Sequence, residues 1–243
     1  MGFSRFHYPG SLQQGDVVAL PQQAAHHAAR VLRLAAGDGV TLFNGQGGEF
    51  GATIVRVGKA EVSVAIGTHL DRECESPLGI TLVQALSGGD KMDFTVQKAV
   101  ELGVSMIQPV IGNRSVVRLA GERAEKRVQH WQGVVISACE QCGRNRVPAV
   151  GAILPLETWL WGAERSGLRL VFAPDATQTL HELPAPEAGV TVLAGPEGGF
   201  SEAEVAAAAA CGFIPVRLGP RVLRTETAAL AAIAAMQAVW GDF

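Results

Sequence analysis

The chain has 243 residues, 48% apolar and 18% charged, with a formal net charge of -3 at pH 7. At about 150 residues per domain that is one or two packed domains, and the composition excludes a disordered or collagen-like chain. The longest apolar stretch, 228–240, is interrupted by Gln237 and falls short of the roughly 20 residues a membrane span needs, so no membrane partner is expected. Arg5, His7 and Pro9 break up the N-terminus, which leaves no signal-peptide core. Met1-Gly2 is followed by Phe6 where a myristoylation signal wants Ser or Thr, and with four cysteines, no export signal and a chain too long to need disulfide scaffolding the expected compartment is the cytoplasm. The first elements are a strand at 16–20, a short helix at 22–34 and a strand at 39–43. Asn44-Gly45-Gln46-Gly47-Gly48 marks a turn, and alternating strands follow at 49–57 and 61–66. Closely spaced strands with one helix suggest a small barrel, assigned to 1–70.

The polar stretch 71–77 ends in Pro77 and reads as a linker to a second domain, 78–243. There the texture changes to alternating strands and helices. Strands are expected at 80–85, 106–111, 168–172, 190–193 and 214–218. Helices are expected at 90–102, with Asp90 as cap and Gly103 as stop, and through the apolar positions Ala124 to Cys142. Two more follow at 201–211 and 225–240. The alternation argues for an α/β domain on a largely parallel sheet.

Charge is uneven along the chain. Residues 111–150 carry seven cations against three acids, and 151–199 carry two against six. A basic segment in an acidic protein can still bind phosphate locally, or simply be a solvated helix face. Cys139 and Cys142 form a CxxC, but no second ligand pair completes a zinc set, and His26-His27 are adjacent rather than spaced as ligands. No metal is therefore expected, and Cys142 on the apolar stripe of its helix, with Cys139 beside it, reads as core packing. Glu140 and Arg144, four apart on the opposite face, are either a surface ion pair or a face pointing at a cleft.

The most informative stretch is Leu193-Ala194-Gly195-Pro196-Glu197-Gly198-Gly199-Phe200-Ser201. A buried strand runs into a glycine-rich turn, and Ser201 with Glu204 three residues on forms a capping box. Strand, glycine loop and helix N-terminus make a ligand-binding corner, where backbone approaches closely and free N–H groups point outward. It is neither a P-loop nor a dinucleotide fingerprint. A second strand end leads into Gly219-Pro220-Arg221-Val222-Leu223-Arg224-Thr225, with Thr225 as a plausible cap, and a third offers Ala173-Pro174-Asp175. Ligands in α/β sheets bind beyond the carboxyl ends of strands. The expected pocket comprises Ala173, Pro174, Leu193, Gly195, Pro196, Glu197, Gly198, Gly199, Phe200, Leu218, Gly219, Val222 and Leu223.

These two loops resemble the signature of the RsmE family, SPOUT-superfamily methyltransferases acting on 16S ribosomal RNA. The likeness extends through Gly88 to Asp93, Gln97-Lys98, Glu101 to Val104, Arg114-Ser115-Val116 and Glu140 to Arg144. In the first domain it includes Arg5-Phe6, His26 to Arg33 and Phe43-Asn44-Gly45, so it covers nearly the whole chain. Cys142 stands where the family usually has Ser, a small-for-small swap. Gly88 stands where Lys is common, which removes one phosphate contact.

The resemblance implies a PUA-like β-barrel joined to an α/β domain with a SPOUT trefoil knot, a topology that general folding rules would count against. It implies S-adenosylmethionine bound in a bent form, methylation at N3 of a uridine in the small ribosomal subunit, and a homodimer with the RNA site at its interface. Uracil N3–H is a weak acid, so a base near N3 and cations near O2 and O4 are useful. Arg224 is the candidate for the uracil anion, with capping or pairing to Glu226 as its plain role. Glu101 and Glu140 are the base candidates, each otherwise an ordinary helix-surface acid. Arg5, Arg30, Arg33, Arg114, Arg118 and Arg144 are the expected RNA-positioning residues. The apolar positions Leu230, Ile233, Ala234, Met236, Val239 and Trp240 exceed what one core-facing stripe needs and favour the last helix as a dimer surface. Two other readings stand beside this one. Ribose 2′-O-methylation is disfavoured by Leu223-Arg224-Thr225-Glu226-Thr227-Ala228 in place of an Asn-rich segment, and a non-catalytic assembly factor is disfavoured by the intact loops.

Overall fold

The computed structural model describes residues 4–58, 61–162 and 166–243. The reading of Met1 and Gly2 lies outside them. The chain forms two compact units, Met1–Glu75 with Cys139–Val147, and Ser76–Ala138 with Pro148–Phe243. The stretch 139–147, which the sequence division at 70 and 78 placed in the second domain, thus groups with the first.

The first unit is a five-stranded sheet. Its elements are β1 (Ser4–His7), β2 (Val17–Ala19), α1 (Gln22–His26), β3 (Gly39–Phe43), β4 (Glu49–Val57) and β5 (Val62–Leu70). The strand order is β1-β3-β4-β5-β2, with β1 parallel to β3 and the other pairs antiparallel. No ladder joins β1 to β2 among the described residues, so pairing does not close the barrel. Alternating side chains from these strands, among them Val40, Leu42, Ile54, Val62 and Val64, bury against Phe6, Ala25 and Ala28. The sequence reading missed β1 because only Phe6 of its four residues is buried, too short a pattern to register. The helix expected at 22–34 runs on from α1 as a π-helical segment, His27–Val31, and Arg33 then takes a left-handed φ of 55°.

The second unit is a parallel α/β sheet. Its elements are β6 (Ile80–Ala85), α2 (Lys91–Glu101), β7 (Val104–Ile111), α3 (Gly121–Cys142), β8 (Ala149–Val150), β9 (Leu154–Pro155) and α4 (Leu156–Gly162). They continue with β10 (Leu168–Phe172), β11 (Val190–Ala194), α5 (Glu202–Ala210), β12 (Ile214–Val216) and α6 (Thr225–Trp240). The strand order is β12-β10-β11-β6-β7-β8, with β9 also on β7, and every pair is parallel. The central strands are buried almost continuously, as in a sheet covered on both faces. Gln237 of α6, 1% exposed, donates to Leu102 O at 2.8 Å and accepts from Ser76 Oγ at 2.7 Å, which fixes α6 against the end of α2.

Two expected caps are corrected. Asp90 occupies the N-cap position of α2, yet its side chain makes no capping bond. The N-cap of α6 is Arg224 rather than Thr225. The Ser201–Glu204 capping box of α5 is present as expected. No helix among the described residues is long and apolar enough to cross a membrane.

Candidate active site

Three parallel strands, β10, β11 and β12, end side by side because β10 pairs with both of the others. Their outgoing loops enclose a cavity of about 700 Å³, counting its open mouth. One wall is Phe172, Ala173 and Pro174; a second is Ala194 to Glu197 with Gly199. The third runs from Val216 to Gly219 and from Arg221 to Leu223, and the floor is Thr225 and Ala228 at the start of α6.

Glycine is needed here for two reasons. A Cβ on Gly195 would lie 3.3 Å from Gly199 Cα and from Phe200 N, so the loop folds back on itself only without one. Gly199 has a φ of 67°, which other residues adopt only with strain. Thr225 holds the corner from below. Its hydroxyl donates to Gly195 O and accepts from Gln84 Nε2 at 3.0 Å. Glu197 closes the corner from the side, its Oε1 accepting from Gly88 N–H at 3.0 Å and Lys91 Nζ at 3.1 Å. Burial alone would raise the Glu197 pKa, but the hydrogen bonds from the backbone N–H groups of Gly88 and Glu197 and from Lys91 outweigh it, so it lies below the usual value. Glu204 Oε1 accepts from Asn113 N–H at 2.7 Å, tying the loop after β7 to the capping box of α5.

Ten of the thirteen expected pocket residues line this cavity, and three do not. Leu193 is fully buried in the core among Val83, Val110 and Val171. Phe200 packs against the same core. The missing Cβ of Gly198 faces Arg114 at 3.3 Å, and Arg114 Nη1 donates to Gly198 O at 3.0 Å. Gly198 therefore serves the loop's packing rather than the cavity wall.

Several expected site residues have other partners. Glu101 takes both hydrogen bonds of Lys98 Nζ, three residues earlier on α2. Glu140 belongs to the first unit, where Oε1 accepts from His7 N–H at 3.0 Å and burial raises its pKa. Neither lines the cavity. Arg224 is exposed, directly follows the pocket residue Leu223, and makes no ion pair with Glu226 among the described residues.

The expected RNA-positioning arginines divide in two. Arg30, Arg33, Arg114 and Arg118 are exposed. Arg5 is held in the first unit by Glu49, by Asn145 Oδ1 and by the ring of Phe43, 5.1 Å from the guanidinium. Arg144 is 4% exposed and donates Nε and Nη2 to Glu75 Oε2 at 3.0 and 2.5 Å. Gly143, with φ 91°, ends α3 before Arg144, so the helical Glu140–Arg144 spacing expected from sequence does not exist. The linker residues act in the same network, with Glu73 accepting from Gly48 N–H at 2.7 Å. The CxxC is reversed from expectation: Cys139 is fully buried, and Cys142 only partly.

Comparison with known families assigns this fold and cavity to the RNA methyltransferases. A model described as an RNA methyltransferase domain matches residues 74–237, and one described as an RNA methyltransferase PUA domain matches 20–67. The ribosomal RNA small subunit methyltransferase E of Buchnera aphidicola subsp. Schizaphis graminum is 38% identical over 231 residues, 95% of this chain and 94% of that protein. The Bacillus subtilis enzyme of the same name is 30% identical over 234 residues, covering 93% and 91%. Among solved structures, a ribosomal RNA small subunit methyltransferase E from Neisseria gonorrhoeae bound to S-adenosylmethionine superposes with a TM-score of 0.92 at 43% identity, covering 99% of each chain. A Legionella pneumophila methyltransferase in complex with the same cofactor gives 0.95 at 41%, covering 100% of each. The chain belongs to the ribosomal RNA small subunit methyltransferase E family.

Proposed function

We propose that this protein is an S-adenosylmethionine-dependent methyltransferase that modifies N3 of a uridine in 16S ribosomal RNA. It acts on the small ribosomal subunit in the cytoplasm, as a homodimer whose α/β domain threads as a trefoil knot. The observation that carries the reading is the cavity at three adjacent strand ends, in a chain of this family. Its residues fit the cofactor: apolar walls from Phe172, Val216, Leu218 and Leu223 suit an adenosine, and the glycine loops offer backbone N–H and C=O groups at close approach.

Bound S-adenosylmethionine would supply a methyl group already activated on a sulfonium centre. The chain's task is to hold donor and acceptor in line, and its tools are the bonds Thr225–Gly195 and Glu197–Gly88 that fix the loops. Arg224, exposed beside the cavity, offsets the charge that develops on uracil O2 and O4 as N3 loses its proton. The one carboxylate in the cavity wall, Glu197, is occupied by Gly88 and Lys91, so the reading rests on this cation and not on a carboxylate base. Arg30, Arg33, Arg114 and Arg118 remain to position RNA.

The test is to incubate the protein with S-adenosylmethionine and small subunits from cells lacking the modification, then digest the RNA to nucleosides. Mass spectrometry should find 3-methyluridine. Finding 2′-O-methyluridine instead, or cofactor binding without product, would overturn the assignment. A monomer mass by sedimentation at micromolar protein would remove the homodimer.

A further inference from the structure

The cavity mouth carries two arginines, Arg221 within the second signature loop and Arg217 just before it, whose side chains have no role assigned from sequence. Arg217 and Arg221 both line the cavity and are both exposed, which places them on its open side. Among the described residues neither guanidinium has an ion pair or side-chain hydrogen bond. Arg217 is anchored through its backbone, its N–H donating to Gln178 O at 3.0 Å. Glu182 lies within electrostatic reach of Arg217 and keeps its negative charge, but its Oε2 is turned to Thr179 N–H and Oγ1 at 2.7 and 3.0 Å, and no ion pair joins it to Arg217, so two cations face one distant acid. Glu197, the one acid in the cavity wall, is already met by Lys91. The mouth is therefore a cationic rim in a protein of net charge -3.

We infer that Arg217 and Arg221 form a phosphate-binding rim that seats the RNA backbone on either side of the target nucleotide. This deepens the proposed function and rests on it. S-adenosylmethionine carries a sulfonium and an ammonium against one carboxylate, so a doubly cationic rim is the wrong sign for the cofactor as a whole. It is the right sign for a polyanion. An enzyme acting on a base edge must take that base out of its stack, which leaves the flanking phosphates exposed at the pocket entrance. Free guanidiniums there can fork onto phosphate oxygens without breaking any internal bond. Arg5 and Arg144, by contrast, would have to abandon Glu49 and Glu75 first.

The experiment compares the full chain with Arg217→Ala, Arg221→Ala and the double variant, with Arg123→Ala on the exposed face of α3 as a control for loss of one charge. Binding of a short single-stranded oligouridine is measured across a salt series, and S-adenosylmethionine binding by calorimetry. The log–log salt slope should shrink by about 0.7 for each rim arginine removed, and by about 1.4 for both. Arg123→Ala should leave the slope within error of the parent, and cofactor affinity should change less than twofold in every variant. A slope unchanged by the rim variants, or lowered equally by Arg123→Ala, overturns the rim. So does a tenfold loss of cofactor affinity in a rim variant, which would assign the arginines to the cofactor carboxylate. Expected slopes in a parent that gives no cofactor heat would sink the proposed function and leave the phosphate rim standing.

Discussion

Thr225 and Gln84 are 141 residues apart in sequence, and the Thr225 hydroxyl accepts from Gln84 Nε2 at 3.0 Å. The same hydroxyl donates to Gly195 O, so one side chain joins β6, the glycine loop and the first turn of α6. Both residues are buried. Replacing Thr225 by Val keeps the shape, leaves the half-buried Gly195 carbonyl without its donor and takes one acceptor from the buried Gln84 Nε2, a loss of about 1–3 kcal/mol. The variant should unfold at lower urea and bind S-adenosylmethionine more weakly, while Thr225→Ser should restore both. Equal behaviour of Val and Ser would show that the hydroxyl does not hold the loop.

Gly195 and Gly198 sit in one motif and should respond differently. In Gly195→Ala the new methyl meets backbone at 3.3 Å, which cannot yield without reshaping the cavity wall. In Gly198→Ala it meets Arg114 Cβ at 3.3 Å, outside the cavity lining, so the adjustment falls on the loop after β7 and leaves the cavity wall in place. Calorimetry should therefore find cofactor binding lost in the first and retained in the second. The reverse order would return Gly198 to the cavity.

Arg144 pairs with Glu75 in a largely buried setting, with side-chain exposures of 5% and 19%. Removing one partner of such a pair leaves an uncompensated charge, at a cost of about 3 kcal/mol. Arg144→Ala should lower the urea midpoint strongly, whereas Arg30→Ala, on an exposed residue, should leave it unchanged. If Arg144→Ala were as stable as the parent, its ion pair would be dispensable and its availability to RNA would reopen.

Burial raises the Glu140 pKa above its ordinary 4.5, although the hydrogen bond from His7 N–H works the other way. A native carboxyl with a raised pKa binds its proton at higher pH than the unfolded chain does. Its ionisation therefore opposes folding, and stability is lost as pH rises from the unfolded value through the folded one. Glu140→Gln keeps an oxygen for His7 N–H and deletes the charge. It should stabilise the protein at about pH 7 and do so less at about pH 4. An effect independent of pH would mean that Glu140 is not held in a desolvated site.

The buried Cys139 thiol is pushed up to about 12, chiefly by desolvation. At neutral pH almost none is thiolate, and the thiolate is the reactive form. Iodoacetamide should label Cys74, which is exposed, and reach Cys139 and Cys211 only after unfolding. Peptide mapping of the native protein reads this directly, and early labelling of Cys139 would refute its burial.

What the sequence by itself determined was local or periodic. Alternating apolar residues located β3 and β4 to the residue, and Ser201 with Glu204 announced the start of α5 because a capping box is complete within four residues. The glycine loops after β11 and β12 located the cavity, since glycine at a strand end marks close backbone approach. What only the tertiary structure decided was which partner each charged or polar side chain takes. Glu140 and Arg144 look like a helical pair until Gly143 ends the helix between them and sends one to His7 and the other to Glu75. Thr225 looks like a cap until Gly195 and Gln84 arrive from distant strands. Hydrophobic period is a property of neighbours along the chain. A hydrogen bond or ion pair depends on distances of about 3 Å between groups that only folding brings together, and for that reason the roles of the arginines could not be read before the fold was known.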